Sequence, residues 1–139
     1  MSELTFTEAF AKYGAVLKNA MWAFSAIADD GSLVLSCWQH KFTIPEQGVL
    51  RYNDRLSRFR QINTQGKNLL IEHLRRAHDE QLLVRLVIAS TKDTASVDAG
   101  RDASRLPKTF HLKEDFVGRV VSFDGDEFVI DFKKQEPQQ

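Results

Sequence analysis

Twice in this chain an Asp-Gly pair interrupts two runs of strand-forming residues, which commits the backbone to turn back on itself. Asp-Gly favours the positive φ angles that tight hairpin turns need. The first pair, within Asp29-Asp30-Gly31-Ser32, separates residues 20–28 from 33–42, and the second, Asp124-Gly125-Asp126, separates residues 116–123 from 127–133. Two antiparallel hairpins are therefore expected. If Asp30-Gly31 is a two-residue turn, Phe24 faces Cys37, Trp22 faces Gln39 and Ile27 faces Val34. Trp22, Phe24, Ala26, Leu33, Leu35 and Cys37 then share a core face, and Met21, Ser25, Ile27, Val34, Ser36, Trp38 and His40 share the other. A slip of one residue would exchange the faces. In the second hairpin, Phe116, Val120, Phe128, Ile130 and Phe132 alternate toward a core, opposite Asp115, Arg119, Asp131 and Lys133.

Helical signals lie between and before the hairpins. Thr5 and Glu8 have capping-box spacing, Phe6, Phe10 and Tyr13 recur on one side, and Gly14 is a stop. Residues 43–50, with Pro45 and Gly48, read as a connection. Tyr52, Leu56, Phe59 and Ile62 recur at helical spacing, so residues 51–60 are read as a helix. Residues 67–78 form a second helix on Leu70, Leu74 and Ala77, and the apolar run 82–89 is a strand buried on both faces. A strand, a helix and a buried strand invite a right-handed crossover. Residues 91–108, carrying Asp93, Asp98, Gly100 and Asp102, make a long polar loop, functional or disordered, and 134–139 a polar tail that frays. The expected fold is one α+β domain over residues 1–139. Its two hairpins and central strand form a mainly antiparallel sheet covered by two or three helices.

A length of 139 residues suits a single core, and a lone cysteine excludes an internal disulfide. No apolar run approaches the ~20 residues that span a bilayer. The first ten residues carry Glu3 and Glu8 and no apolar stretch of the signal-peptide kind. A cytoplasmic location and no membrane partner are expected.

The net charge is zero, yet it is unevenly spread. Between Arg51 and Arg76 lie Arg51, Arg55, Arg58, Arg60, Lys67, Arg75 and Arg76 against Asp54 and Glu72, seven minus two, or +5. Long cations, arginine above all, reach phosphate oxygens, and Trp38 and Tyr52 offer flat surfaces for unpaired bases. Arg51, Arg55 and Arg58 would align on one side of a helix. This supports a non-catalytic nucleic-acid-binding or DNA-processing accessory module. Two other readings fit the same stretch. One is a solvated face whose arginines pair with the acidic flanks. The other is a protein interface, in a regulatory or self-associating module such as a homodimer.

The sequence offers other chemistry. Asp115 before one strand and Asp131-Phe132-Lys133 in the next resemble the catalytic hairpin of PD-(D/E)xK nucleases. There, carboxylates hold a divalent metal and the lysine helps activate water. Glu114, not proline, precedes Asp115, and Arg119 opposite Asp131 offers an ion pair instead. Cys37, His40, His73 and His78 have the wrong spacing for zinc, because Cys37 and His40 fall on opposite faces of a strand. Cys37 on an apolar face is a small hydrophobe. Gly66-Lys67 at a helix start could meet one phosphate, but an ordinary cap by Asn63 or Thr64 explains the pair as well. No cofactor and no metal are expected.

Overall fold

The computed structural model describes residues 4–18, 23–58, 64–99 and 107–135. Its elements are α1 (Phe6–Lys12), β1 (Ser25–Ile27), β2 (Leu33–Trp38), β3 (Phe42–Glu46), β4 (Val49–Arg55), α2 (Thr64–Glu80), β5 (Val84–Ser90), α3 (Thr94–Asp98), β6 (Thr109–Leu112), β7 (Phe116–Phe123) and β8 (Glu127–Lys134). All eight strands join one sheet in the order β1-β2-β5-β7-β8-β4-β3, with β6 also on β5. The sheet is mixed, since β2 and β5 run parallel and the other pairs antiparallel. The fold is α+β in outline, but the antiparallel sheet expected from the hairpins is corrected by the β2–β5 pair.

The sheet curls, and chain connectivity shows why. From β2 to β3 is five steps across the sheet, about 24 Å if it were flat. Yet a single 3-10 turn, Gln39–Lys41, joins the two strands, covering only about 6 Å. The two sides must therefore bend toward each other. The backbone N–H of Trp38 at the end of β2 duly donates to the hydroxyl of Tyr52 on β4, at 3.2 Å.

Side chains from both arms meet in one core. Leu33, Leu35, Cys37, Leu86 and Ile88 pack with Tyr52, Val120, Phe128, Ile130 and Phe132, and α2 adds Leu70, Leu74 and Ala77. On the outer side of β1, β2 and β5 lies a second cluster. Here α1 brings Ala9 and Phe10 against Ala26, Val34 and Val87. Thr5 caps α1 as expected, its hydroxyl accepting from the Glu8 N–H at 3.1 Å while Glu8 accepts from the Thr5 N–H at 3.0 Å. With cover on both faces, β5 is buried at Val84, Leu86, Val87, Ile88 and Ala89.

Four expectations need correcting. In the first hairpin Ala28 N–H bonds Ser32 O and Gly31 has φ +88°, so the loop is the three residues Asp29-Asp30-Gly31. That is a turn ending in a left-handed glycine. It moves the register by one, to Ser25↔Leu35 and Ile27↔Leu33. Leu33, Leu35 and Cys37 keep the core face, whereas Ala26 now joins Val34 in the outer cluster. Trp22 and Met21 lie outside the described residues.

Second, residues 43–50 are not a plain connection but most of a hairpin, β3 to β4, turning at Gly48 with φ +86°. Pro45 is tolerated because β3 is an edge strand. Third, residues 51–55 are strand rather than helix, followed by a 3-10 turn at Leu56–Arg58. Leu50 and Tyr52 pack inward between β3 and β8. Fourth, the polar stretch 91–108 contains α3, capped by the Asp93 carboxylate on the Ser96 N–H at 3.1 Å. The second hairpin, α2 and the buried β5 follow the sequence reading.

Candidate nucleic-acid interface

A strand sends alternate residues to opposite faces. With Tyr52 packed inward, Arg51, Asn53 and Arg55 point outward on β4. The register places Arg51 opposite Asp131 and Arg55 opposite Glu127 on β8, and Asp131 opposite Arg119 on β7. Lys133, two residues beyond Asp131, shares the same face. Across β4, β8 and β7 the outward charged residues are thus Arg51, Arg55, Arg119 and Lys133 against Glu127 and Asp131. No described helix packs on this face, and Arg55, Arg119 and Lys133 are exposed.

Arg51 is engaged. Its Nε donates to Asp131 Oδ1 at 2.7 Å and its terminal nitrogen to Oδ2 at 2.9 Å, a forked pair. The guanidinium holds the Asp131 carboxyl below the usual carboxylate range. Both oxygens of one candidate nuclease carboxylate are therefore committed. Asp115 sits just before β7, its carboxylate 3.9 Å from Lys134 Nζ.

The other cations of the basic stretch lie elsewhere. Helix α2 packs on the inner side of the sheet, so its cations and those of β4 face different sides. Lys67, in its first turn, is half-buried. Arg75 is exposed, 6.0 Å from the ring centre of Phe123, and Arg76 pairs with Glu80 at 3.2 Å. The Arg58 side chain and Arg60 lie outside the described residues. Of the two proposed stacking rings, Trp38 is half-buried and Tyr52 is only 2 % exposed.

One polar cluster had no signal in the sequence. Asp54 faces inward on β4, its side chain only 2 % exposed. It accepts from the Tyr52 hydroxyl at 3.0 Å and from the Arg55 N–H at 2.8 Å, and lies 3.9 Å from Lys41. Lys41 also meets Asp98 at the end of α3, at 3.1 Å, and His40 Nε2 lies 2.8 Å from the same carboxylate. The His40 contact, then Lys41, holds the Asp98 carboxyl below its ordinary range. The cluster ties α3 to the closing turn of the sheet.

Cys37 and His73 sit in structural surroundings. Burial, with the Asp54 charge adding to it, pushes the Cys37 thiol well up. His73 shares a 2.8 Å hydrogen bond with the fully buried Ser25 hydroxyl, and burial lowers its basicity. No group of three or more His, Cys, Asp or Glu poised for a metal occurs among the described residues. Among them, too, no helix is long and apolar enough to cross a membrane.

No protein-family model matches the chain, and no curated relative was found. Among solved structures it is similar to KRYPTONITE, seen in complex with mCHG DNA and SAH, at 12 % identity and a TM-score of 0.37. The match covers 99 % of this chain and 27 % of that one, so the chain spans about a quarter of its length. A likeness at that score carries no argument about function.

Proposed function

We propose that this chain is a non-catalytic nucleic-acid-binding or DNA-processing accessory module that contacts phosphates. The observation carrying this reading is the open outer face of β4, β8 and β7. Its three strands present four cations against two carboxylates, with Glu46 of the adjoining β3 near Arg51 as a third, in a chain whose total charge is zero. Arg55 adds an exposed guanidinium with no ion pair among the described residues. A local excess of this kind attracts a polyanion even at neutral bulk charge. With Tyr52 in the core and Trp38 on β2 rather than on these three strands, the contact is mainly to the backbone.

The test is a salt series with labelled single-stranded and duplex DNA and RNA. It compares wild type with Arg55→Glu and with Arg76→Glu, a helix cation on the other side of the sheet. Binding should weaken steeply as salt rises, fall further in Arg55→Glu and change little in Arg76→Glu. Absence of binding at the lowest salt would refute the proposal.

A further inference from the structure

We infer that Arg119 and Lys133 form a subsite for one backbone phosphate of the bound nucleic acid, and that Asp131 sets its affinity as a built-in counter-ion. The inference rests on the reading above and names a part of that face which the basic stretch of the sequence does not contain.

Arg119 is opposite Asp131 and Val117 is opposite Lys133, so Arg119 and Lys133 are diagonal neighbours on adjacent strands. Such neighbours lie about 7–8 Å apart, within joint reach of long side chains. Both are exposed, and neither has an ion pair among the described residues. The reason is geometric. Asp131 lies between two arginines, and Arg51 from β4 takes both its oxygens at 2.7 and 2.9 Å. Arg119, on the other flank, is left without that partner. Two exposed cations beside a carboxylate already forked by Arg51, with Lys133 attracted to it only at longer range, are complementary to one further anion, and a phosphodiester offers the two oxygens that an arginine fork recognises. Asp131 repels the incoming phosphate and fixes Arg51 in place, so it lowers affinity while ordering the site. Asp115, by Lys134 at the adjoining strand ends, bounds the subsite on that side.

The experiment repeats the salt series on duplex DNA with Arg119→Gln/Lys133→Gln, Asp131→Asn and Glu127→Gln. Thermal melts confirm that each variant is folded. The double variant should lower the slope of log K against log salt by about 1, the share of one phosphate contact. Asp131→Asn should tighten binding about two- to fivefold at low salt, as one partly exposed surface charge can. Glu127→Gln leaves the Arg51 pair intact and should tighten binding in the same direction, which keeps the test open should Asp131→Asn melt early. An unchanged slope in the double variant, with Arg55→Glu still weakening binding, would overturn the subsite and leave the broader reading standing. Failure of the wild type to bind would end both. Poly-glutamate competing as well as DNA of equal charge would assign the face to an acidic protein and overturn the phosphate subsite.

Discussion

Gly118 should be the most sensitive single position on the face-bearing hairpin. It lies on β7 opposite Phe132 of β8 and pairs with Val84 of β5. A β-carbon added there would stand 2.5 and 2.7 Å from two ring carbons of Phe132 and 3.0 Å from the Asp131 carbonyl oxygen. Carbon atoms rest at about 3.5–4.0 Å, so the ring or the strand must shift by about 1 Å. Phe132 is fully buried, with Phe42 at 6.2 Å between ring centres, and has no open side to move toward. Overpacking of this kind costs about 1–3 kcal/mol. At ~2.1 cal/mol/K per residue, the 139 residues give an unfolding entropy near 0.3 kcal/mol/K, so Gly118→Ala should lower Tm by roughly 3–10 °C. Calorimetry or far-UV circular dichroism would read it. A compensating Phe132→Leu should restore part of the loss, a coupling expected of touching residues. Because Arg119 and Asp131 are the next residues on the two strands, the same variant should also weaken DNA binding. A Tm within about 1 °C of wild type would refute the packing argument.

Two further changes probe the interior. Tyr52→Phe deletes the hydroxyl that accepts from Trp38 N–H and donates to Asp54. Removing a hydrogen-bonding partner from buried groups should cost about 1–3 kcal/mol, measured by urea denaturation; an unchanged midpoint would mean that other groups replace it. Acid should loosen the α3 contact. Asp98, with a folded pKa below its unfolded value, stabilises the native state fully above the ordinary carboxylate range and loses that contribution as pH falls through the folded pKa. Melts at pH 7 and at pH 3 should therefore differ less in Asp98→Asn than in wild type, and equal differences would exclude a role for this contact.

What the sequence disclosed follows from how local each determinant is. Asp-Gly turn chemistry and strict alternation placed the second hairpin and put Arg119, Asp131 and Lys133 on one side, opposite Phe128, Ile130 and Phe132. The first turn used the same residues differently. A third loop residue before Gly31 shifted β1 by one, and one extra residue in a turn leaves no trace in composition. Residues 51–60 misled because Asp54 interrupts the inward apolar series of Leu50 and Tyr52, while Tyr52 and Leu56 fall by chance at helical spacing. The polar cluster joins residues 40, 41, 54 and 98, brought together only by the curl of the sheet. No local pattern could announce it.

Placing the basic stretch on a strand changes what it can hold. On a helix Arg51 and Arg55 would lie one turn apart, about 6 Å along the axis, beside Arg58 in a single line. On β4 they are about 13 Å apart, with Asn53 between them; Thr43 of β3 lies on one side of Arg51, and the outward partners on β8, Asp131 and Glu127, come more than seventy residues later in the chain. The surface is therefore two-dimensional: a row across three strands, Arg51-Asp131-Arg119, with Lys133 on one side and Arg55 on the other. Its charge depends on the hairpin pairing as much as on the arginines, because Asp131 and Glu127 reach it only through register. Substitutions that leave every cation in place but disturb that register, Gly118→Ala first among them, should weaken binding nearly as much as removing a charge. A helix carrying the same arginines would not respond in that way.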